Sequence, residues 1–412
     1  MPADHQFPIQ NLPYGIFSTA DLSPRVGVAI GDYVLDLHEI AMLDLLIPVK
    51  GLPAREVFAQ PSLNAFMALG PAVWSATRGA ISSLLSTNNT TLQHNQSLRD
   101  KVLLPQSEVQ MHLPIQIGDY TDFYSSMQHA TNVGIMFRDP ANALLPNWKH
   151  IPVGYHGRAS SVVVSGTDLH RPQGQLKGPA DAVPKFGASR KLDFELEMAW
   201  VVGVGNPLGH PIKADQWRDH VFGFCIFNDW SARDIQSWEY VPLGPFLGKN
   251  FGSSLSPWVV TAEALTPFLI EGQEQDPEVL PYLQTSGPTH LDIELEVWLQ
   301  PAGGQAHKIS QSNYKHLYWS VAQQLAHHTV NGCNMRPGDL CASGTISGTE
   351  RSSWGSLLEL SWNGTEPITL PDGATRTFLE DGDTIIMKAY QDLNGIRIGF
   401  GEVRGTILPT VS

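Results

Sequence analysis

Cysteine is scarce in this 412-residue chain, where Cys225, Cys333 and Cys341 are the only three. They are too few and too scattered for a disulfide framework or a structural zinc knot, and they suit a reducing compartment. Charge is scarce too, at 16 % of residues against a usual share of about a quarter. Bases are the scarcer kind: 26 Lys and Arg face 40 Asp and Glu, a formal charge of −14. That balance argues against nucleic acid or an anionic membrane surface as partner, while leaving room for a local basic pocket. No apolar run approaches the ~18 residues of a membrane span. The opening MPADHQFPIQ lacks the basic-then-apolar order of a signal peptide. The expectation is a cytoplasmic globular protein, long enough for two or three domains.

Missing motifs narrow the chemistry further. No Gly-x-Ser-x-Gly elbow occurs. VVGVGNPLG (201–209) has the wrong glycine spacing for a dinucleotide site, and Pro207 stands where a helix would start. The glycine-rich loop around Lys249, GPFLGKNFGSS, lacks the Gly-Lys-Ser/Thr ending of a phosphate loop. It still allows close approach of backbone and ligand. His327 and His328 are adjacent, so on a helix they point in different directions and make poor joint ligands.

Glycine and proline, by contrast, are plentiful at 37 and 30. Turns and short strands are expected, and long helices are not. VGVAIGDYVLDLHEI (26–40) reads as a hairpin around Gly31-Asp32. Residues 54–87 carry apolar residues at helical spacing, broken at Pro61, Gly70 and Pro71, and the polar 86–100 reads as a loop. Composition changes near 114, which predicts domains at 1–114 and 115–412. Beyond it, ASSVVVSG, FELEMAWVVG, LDIELEVWLQ and TIIMKAYQ read as strands. Helices are expected over 228–240, capped by Asn228 or Asp229, and over 312–332, stopped at Gly332.

Carboxylates are the main candidates for chemistry. In LDFELEMAW, Asp193, Glu195 and Glu197 alternate with apolar residues, so a strand would carry them on one face, neighbours roughly 7 Å apart. Such a pair suits a hard cation, or a solvated acidic face. LDIELEVWL repeats the pattern at Asp292, Glu294 and Glu296, and spacing alone does not choose between the copies. Asp122 lies in DYTDFYSSMQHATNVG, an aromatic-rich segment read as a pocket-lining loop, with His129 seven residues on. A neutral imidazole there would suit a general base. Arg233 and Gln236 follow Asp229 one helical turn apart. Glu359, between Leu358 and Leu360, reads as a short-strand residue, either exposed or orienting a histidine.

Six segments resemble the fumarylacetoacetate hydrolase family in order: DYTDFYSSMQHATNVGIMFR, NWKHIPVGYHGRASSVVVSG, LDFELEM, NDWSARDIQSWEYVPLGPFLGKNFG, RPGDLCASGTISG and GSLLELSWNG. The resemblance runs over essentially the whole chain and implies a mainly β (α+β) fold. A small SH3-like barrel would reach to about residue 114, followed by a mixed β-sandwich or β-roll catalytic domain, in a homodimer. It implies hydrolysis of 4-fumarylacetoacetate to fumarate and acetoacetate, the last step of tyrosine and phenylalanine breakdown. Acylpyruvate hydrolysis and β-keto acid decarboxylation are the alternatives within the superfamily.

Carried onto this sequence, the resemblance makes Asp122, Glu195, Glu197 and Asp229 the ligands of Ca²⁺. It puts Mg²⁺ near Asp229, Lys249 and Ser253, where the family more often has Thr at the last position. His129 would be the base and Glu359 its partner, with Arg233, Gln236 and Lys249 stabilising the leaving enolate. Tyr124, Arg138, Tyr155, Gln236, Tyr240 and Thr345 fall on substrate-contacting positions. Met127 stands where animal members often have Arg.

Overall fold

Gly31 and Asp32 make the tight turn that the sequence predicts. A computed structural model, describing residues 5–411, pairs Arg25–Ile30 with Tyr33–Asp36 across that turn, and Gly31 takes a φ of +57°. These strands belong to a five-stranded antiparallel sheet, the half-barrel of the N-terminal unit. Its order is Leu103–Pro105, Tyr33–Asp36, Arg25–Ile30, Tyr14–Ser18, Gln110–His112. The helical region 54–87 is cut near its predicted breakers into Ala54–Val57, Asn64–Met67 and Pro71–Leu85. The stretch expected to be a loop, 86–100, instead holds helices Thr90–Gln93 and Gln96–Val102. Asn89 and Asn95 cap them through Oδ1, so residues that read as loop-forming are helix starters here.

The rest of the chain is built around two packed sheets, with helices and, among the described residues, four two-stranded ribbons beside them. One is eight-stranded and mixed; its main path runs Gly154–His156, Tyr120–Phe123, Leu340–Ala342, Leu196–Val202, Val221–Asp229, Ser253–Leu255, Val162–Val164. The other is five-stranded and includes Glu294–Gln300, His307–Asn313, Thr384–Leu393 and Ile396–Leu408. Leu196, Met198 and Trp200 of the first meet Leu295, Val297 and Met387 of the second in one buried core. Trp200 is fully buried, and truncating such a side chain costs about 3–5 kcal/mol.

The opposite face of the eight-stranded sheet is what positions the site. Its alternate residues Ala199, Val201, Phe222, Cys225, Phe227 and Ala342 share a second core with Leu12, Tyr14, Phe66 and Trp74 of the N-terminal unit. Toward one end of the same strands this face changes from apolar to acidic: Glu197 follows Val201 and Ala199, and Asp229 follows Cys225 and Phe227. The N-terminal unit therefore covers the apolar part of a face whose remainder is buried carboxylate.

Two helix expectations shift. Asn228 and Asp229 end the strand Val221–Asp229 and cap nothing; the helix is Arg233–Glu239, with Ala232 before it. The helix expected over 312–332 runs only Val321–Thr329, capped by Ser320; the strand His307–Asn313 takes the first two residues into the second sheet and a separate 3-10 turn takes Tyr314–His316. Gly332, at φ +93°, follows its end.

Candidate active site

Three strands of the eight-stranded sheet deliver four carboxylates to one place. Tyr120–Phe123 lies parallel to Leu340–Ala342 with Asp122 opposite Ala342, and Leu340–Ala342 borders the strand Leu196–Val202, which contains Glu197 and is directly preceded by Glu195. Val221–Asp229 lies antiparallel on the other side, its last residue supplying the fourth acid. Asp122 is thus a strand residue and not the loop residue that its aromatic neighbours suggested; aromatic and β-branched residues at Tyr120, Thr121 and Phe123 suit a pleated, buried strand. Asp122, Glu195, Glu197 and Asp229 are all at most 5 % exposed, and each offers an oxygen within 4.8 Å of the others'.

The hydrogen bonds around these acids are uneven. Glu195 accepts from Arg233 Nη1 at 2.6 Å and from Lys249 Nζ at 2.6 Å. Asp229 accepts from Lys249 Nζ at 2.6 Å, Ser253 Oγ at 2.8 Å and Tyr155 Oη at 3.3 Å. Glu197 Oε2 accepts the Gly344 N–H at 2.9 Å. That approach requires glycine: Gly344 has φ +77°, and a Cβ there would lie 2.3 Å from the Phe123 carbonyl oxygen. Asp122 Oδ1 and Glu197 Oε1 are buried without any partner.

Electrostatics follow from that geometry. Burial, then the charges of its acidic neighbours, pushes the Glu197 carboxyl well above the ordinary carboxylate range. Burial and Asp229 do the same to Asp122. Burial would also raise Glu195, but Lys249 and Arg233 outweigh it and hold this carboxyl below its ordinary value. Surplus buried negative charge and two orphaned oxygens fit a divalent cation, and an all-oxygen set fits a hard one such as Ca²⁺ or Mg²⁺. Lys249 suits the role of ligand poorly. Its ammonium is held charged, since Asp229 and Glu195 raise it against the lowering effect of burial. Its Nζ is a charge beside an ion, which leaves Asp229 and Ser253 as side chains for a second one.

The histidine lies on a helix, Met127–Phe137, whose N-cap Ser126 accepts the His129 N–H at 3.2 Å. Gly134 lets this helix pack: a Cβ there would sit 2.0 Å from the Ala143 carbonyl oxygen. His129 Nδ1 meets Glu359 Oε2 at 2.7 Å. Glu359 is fully buried and also accepts from Ser347 Oγ, Ser356 Oγ and Asn132 Nδ2 at 2.8–2.9 Å. Burial alone would raise its carboxyl, but His129 and these donors together lower it. Glu359 lies in the helix Leu357–Leu360 and not in a strand. Leucines on both sides disguised it, yet Ser356, three residues earlier, carries the helix-start signal and caps at 3.3 Å.

The remaining candidates fall into two groups. Gln236 is half-buried, with Oε1 3.4 Å from Arg233 Nη1. The Tyr124 ring lies edge-on to His129 at 5.3 Å, with Met127 packed nearby against the main core. Thr345 is buried, and its Oγ1 has no partner. Arg138 and Tyr240 are exposed; Arg138 Nη2 donates to the Ala143 carbonyl at 2.6 Å, and Tyr240 is half-exposed at the end of the helix Arg233–Glu239. The second acidic repeat stands apart in the other sheet. Its Glu296 accepts from Trp298 Nε1, Lys308 Nζ and Tyr390 Oη, so the carboxylate cluster belongs to the first copy. Sequence reasoning gave no role to Asp193, Asn132, Ser347 or Ser356, which hold the catalytic candidates in place.

Comparison with known proteins adds an independent line. The family described as "Fumarylacetoacetate (FAA) hydrolase C-terminal" matches residues 120–408, and "Fumarylacetoacetase N-terminal" matches 10–114. Fumarylacetoacetase of Rattus norvegicus is 56 % identical over 411 residues, covering 99 % of this chain and 98 % of its own. That of Homo sapiens is 56 % identical over 410 residues, covering 99 % and 97 %. A solved fumarylacetoacetate hydrolase from Exiguobacterium antarcticum superposes with a TM-score of 0.54 at 17 % identity, over 97 % of this chain and 99 % of its own, a likeness of fold.

Proposed function

The chain belongs to the fumarylacetoacetate hydrolase family and is a hydrolase, and from that premise we propose that it splits 4-fumarylacetoacetate with water into fumarate and acetoacetate, closing tyrosine and phenylalanine breakdown. The observation that carries the mechanism is a buried His129–Glu359 pair beside a buried four-acid cluster.

Hydrolysis of a carbon–carbon bond needs a nucleophilic water and a stabilised carbanion leaving group. Glu359 accepts the Nδ1–H of His129, which leaves the Nε2 lone pair free to take a proton from water. The hydroxide adds to the carbonyl beside the fumaryl group. Collapse of that adduct breaks the bond to the acetoacetate carbon, whose electron pair delocalises onto oxygen as an enolate. The imidazolium then returns the proton. Arg233, whose Nη2 is buried and unpartnered, receives the enolate oxygen with help from Gln236 and Lys249. Asp122, Glu195, Glu197 and Asp229 would hold a Ca²⁺, which supplies Lewis-acid polarisation of the diketone and a template for it. Asp229 and Ser253 would face a Mg²⁺. Tyr124, Arg138, Tyr155, Tyr240 and Thr345 line the substrate's path in this reading, with Arg138 gripping a carboxylate.

The molecule acts as a homodimer in this proposal. Trp238, Tyr240, Val241, Leu243, Phe246 and Leu247 expose 40–96 % of their surface in one short stretch, a run that a soluble monomer rarely leaves uncovered. Its compartment is the cytosol, which suits three free cysteines, two of them buried. No helix among the described residues is long and apolar enough to cross a membrane.

Diketone absorbance measured after adding fumarylacetoacetate, with and without chelator, tests the activity. Loss that Ca²⁺ or Mg²⁺ restores is expected, and an acylpyruvate serves as control substrate. No loss with either ion overturns the assignment. His129→Ala should slow turnover roughly 10²–10⁴-fold, and near-normal turnover removes His129 as the base.

A further inference from the structure

The geometry points to Asp193 as a positioning residue that aims Arg233 by tying it to the segment carrying Glu359. This rests on the role given to Arg233 above. Asp193 is fully buried, and each of its oxygens accepts twice. Oδ1 takes the N–H groups of Phe194 at 2.8 Å and Leu357 at 2.7 Å. Oδ2 takes the Leu358 N–H at 2.9 Å and Arg233 Nε at 2.9 Å. Leu357 and Leu358 open the short helix whose third residue is Glu359, the partner of His129. One carboxylate therefore joins the proton-accepting half of the site to its oxyanion-stabilising half.

The way Arg233 is held shows what the tie achieves. Asp193 occupies Nε, while Glu195 occupies Nη1 at 2.6 Å. Nη2 is left over, buried and without a partner. A guanidinium offers its donors in a rigid planar fork, so fixing Nε and Nη1 to two carboxylates also fixes the direction of Nη2. Without Asp193, the fork is free to turn and give two donors to Glu195, withdrawing Nη2 from the substrate. A donor that acts on charge developing in the transition state changes kcat more than KM.

Steady-state kinetics of the metal-loaded enzyme test this in a two-residue cycle. Asp193→Asn is expected to lower kcat about 10²-fold, the size seen when one oxyanion donor is lost, with KM within threefold. The double variant Asp193→Asn/Arg233→Met should be no slower than Arg233→Met alone, since the first residue acts through the second. A further fall in the double variant equal to that of Asp193→Asn alone would make Asp193 merely structural and overturn the proposal. Slow Arg233→Met with fast Asp193→Asn overturns this proposal alone. Fast Arg233→Met overturns the role of Arg233 and this proposal with it. If the asparagine variant does not fold, Asp193→Glu keeps the charge but moves the carboxylate, and reduced kcat at unchanged KM is again expected; wild-type kcat overturns. If neither folds, arginine-labelled wild-type enzyme decides by NMR. One slowly exchanging Nε–H signal, absent in Arg233→Met, supports the tie, and rapid exchange at that position overturns it.

Discussion

Two stretches of this chain are nearly the same six residues: Leu-Asp-Phe-Glu-Leu-Glu at 192–197 and Leu-Asp-Ile-Glu-Leu-Glu at 291–296. Both put their apolar side chains, Phe194 and Leu196 or Ile293 and Leu295, into the same main core. Their acids meet opposite fates. Glu197 is fully buried among other carboxylates, and burial with their charge pushes it well above its ordinary range. Burial would raise Glu296 as well, but hydrogen bonds from Trp298, Lys308 and Tyr390 and the charge of Lys308 outweigh it and leave it below that range. Local alternation decides which face carries the acids. What they can do is decided by neighbouring strands: Val221–Asp229 and Tyr120–Phe123 bring two more acids to the first copy, while His307–Asn313 and Thr384–Leu393 bring Lys308 and Tyr390 to the second.

The sharpest way to break this comparison is Glu197→Gln against Glu296→Gln. Losing a partner of a metal ligand costs about 10–100-fold in affinity, so losing a ligand itself should cost at least that in Ca²⁺ binding and in turnover. The glutamine at 197 is neutral in the folded and the unfolded chain, so it avoids the proton uptake that folding forces on Glu197, and the chelated variant should melt higher than the chelated wild type. Calorimetry and scanning melts check both signs. Equal ion affinity in the two variants would erase the functional difference between the copies.

A second contrast is pH. Asp122, Glu197 and Asp229 have raised pKa values, burial being the first cause in each. In the ion-free folded protein they keep protons that the unfolded chain, with carboxyls near their ordinary value of about 4, has already released. The unfolded state then binds fewer protons, so stability falls as pH rises. Chelated protein should lose melting temperature as pH rises above about 4, the ordinary carboxyl value, and Ca²⁺, which takes the protons' place, should flatten that slope. The same slope with and without the ion would contradict a shared cation site.

Some of this was legible in the residues. The hairpin at Gly31-Asp32 and the breakers that divide 54–87 follow from turn chemistry; the alternation at 193–197 brings Glu195 and Glu197 to one cluster, but Asp193 falls in a separate two-residue strand paired with Ser231–Ala232. The choice between the two acidic copies was not legible there. Asp122 and Asp229 reach Glu197 only through pairings between strands far apart in sequence, which no local period encodes. Family resemblance pointed to the copy at which four buried carboxylates gather, because it matches the order of whole segments, carrying tertiary information that spacing lacks. Glu359 failed in another way. Its Leu-Leu-Glu-Leu setting reads as strand or helix alike, and the deciding residue, Ser356, lies just outside it.

The smallest expected effect is that of Glu296→Gln on its own account, and its sign under acid separates it from the copy in the four-acid cluster. Glu296 accepts from Trp298 Nε1 at 3.0 Å, Tyr390 Oη at 3.2 Å and Lys308 Nζ at 3.3 Å. Lys308 is over a third exposed, so its charge is screened, and the variant should lose about 1 kcal/mol at neutral pH with turnover within twofold. Because the folded carboxyl lies below its ordinary value of 4.5, the folded state releases its proton first. The contribution of Glu296 is complete above that value and fades as pH falls through the lower, folded one. Wild type and variant should therefore differ in urea midpoint at pH 7 and converge toward pH 3. A gap that instead widened in acid would mean that Glu296 shares the raised, charge-crowded state of Glu197, and that the strands beside it do not decide its chemistry.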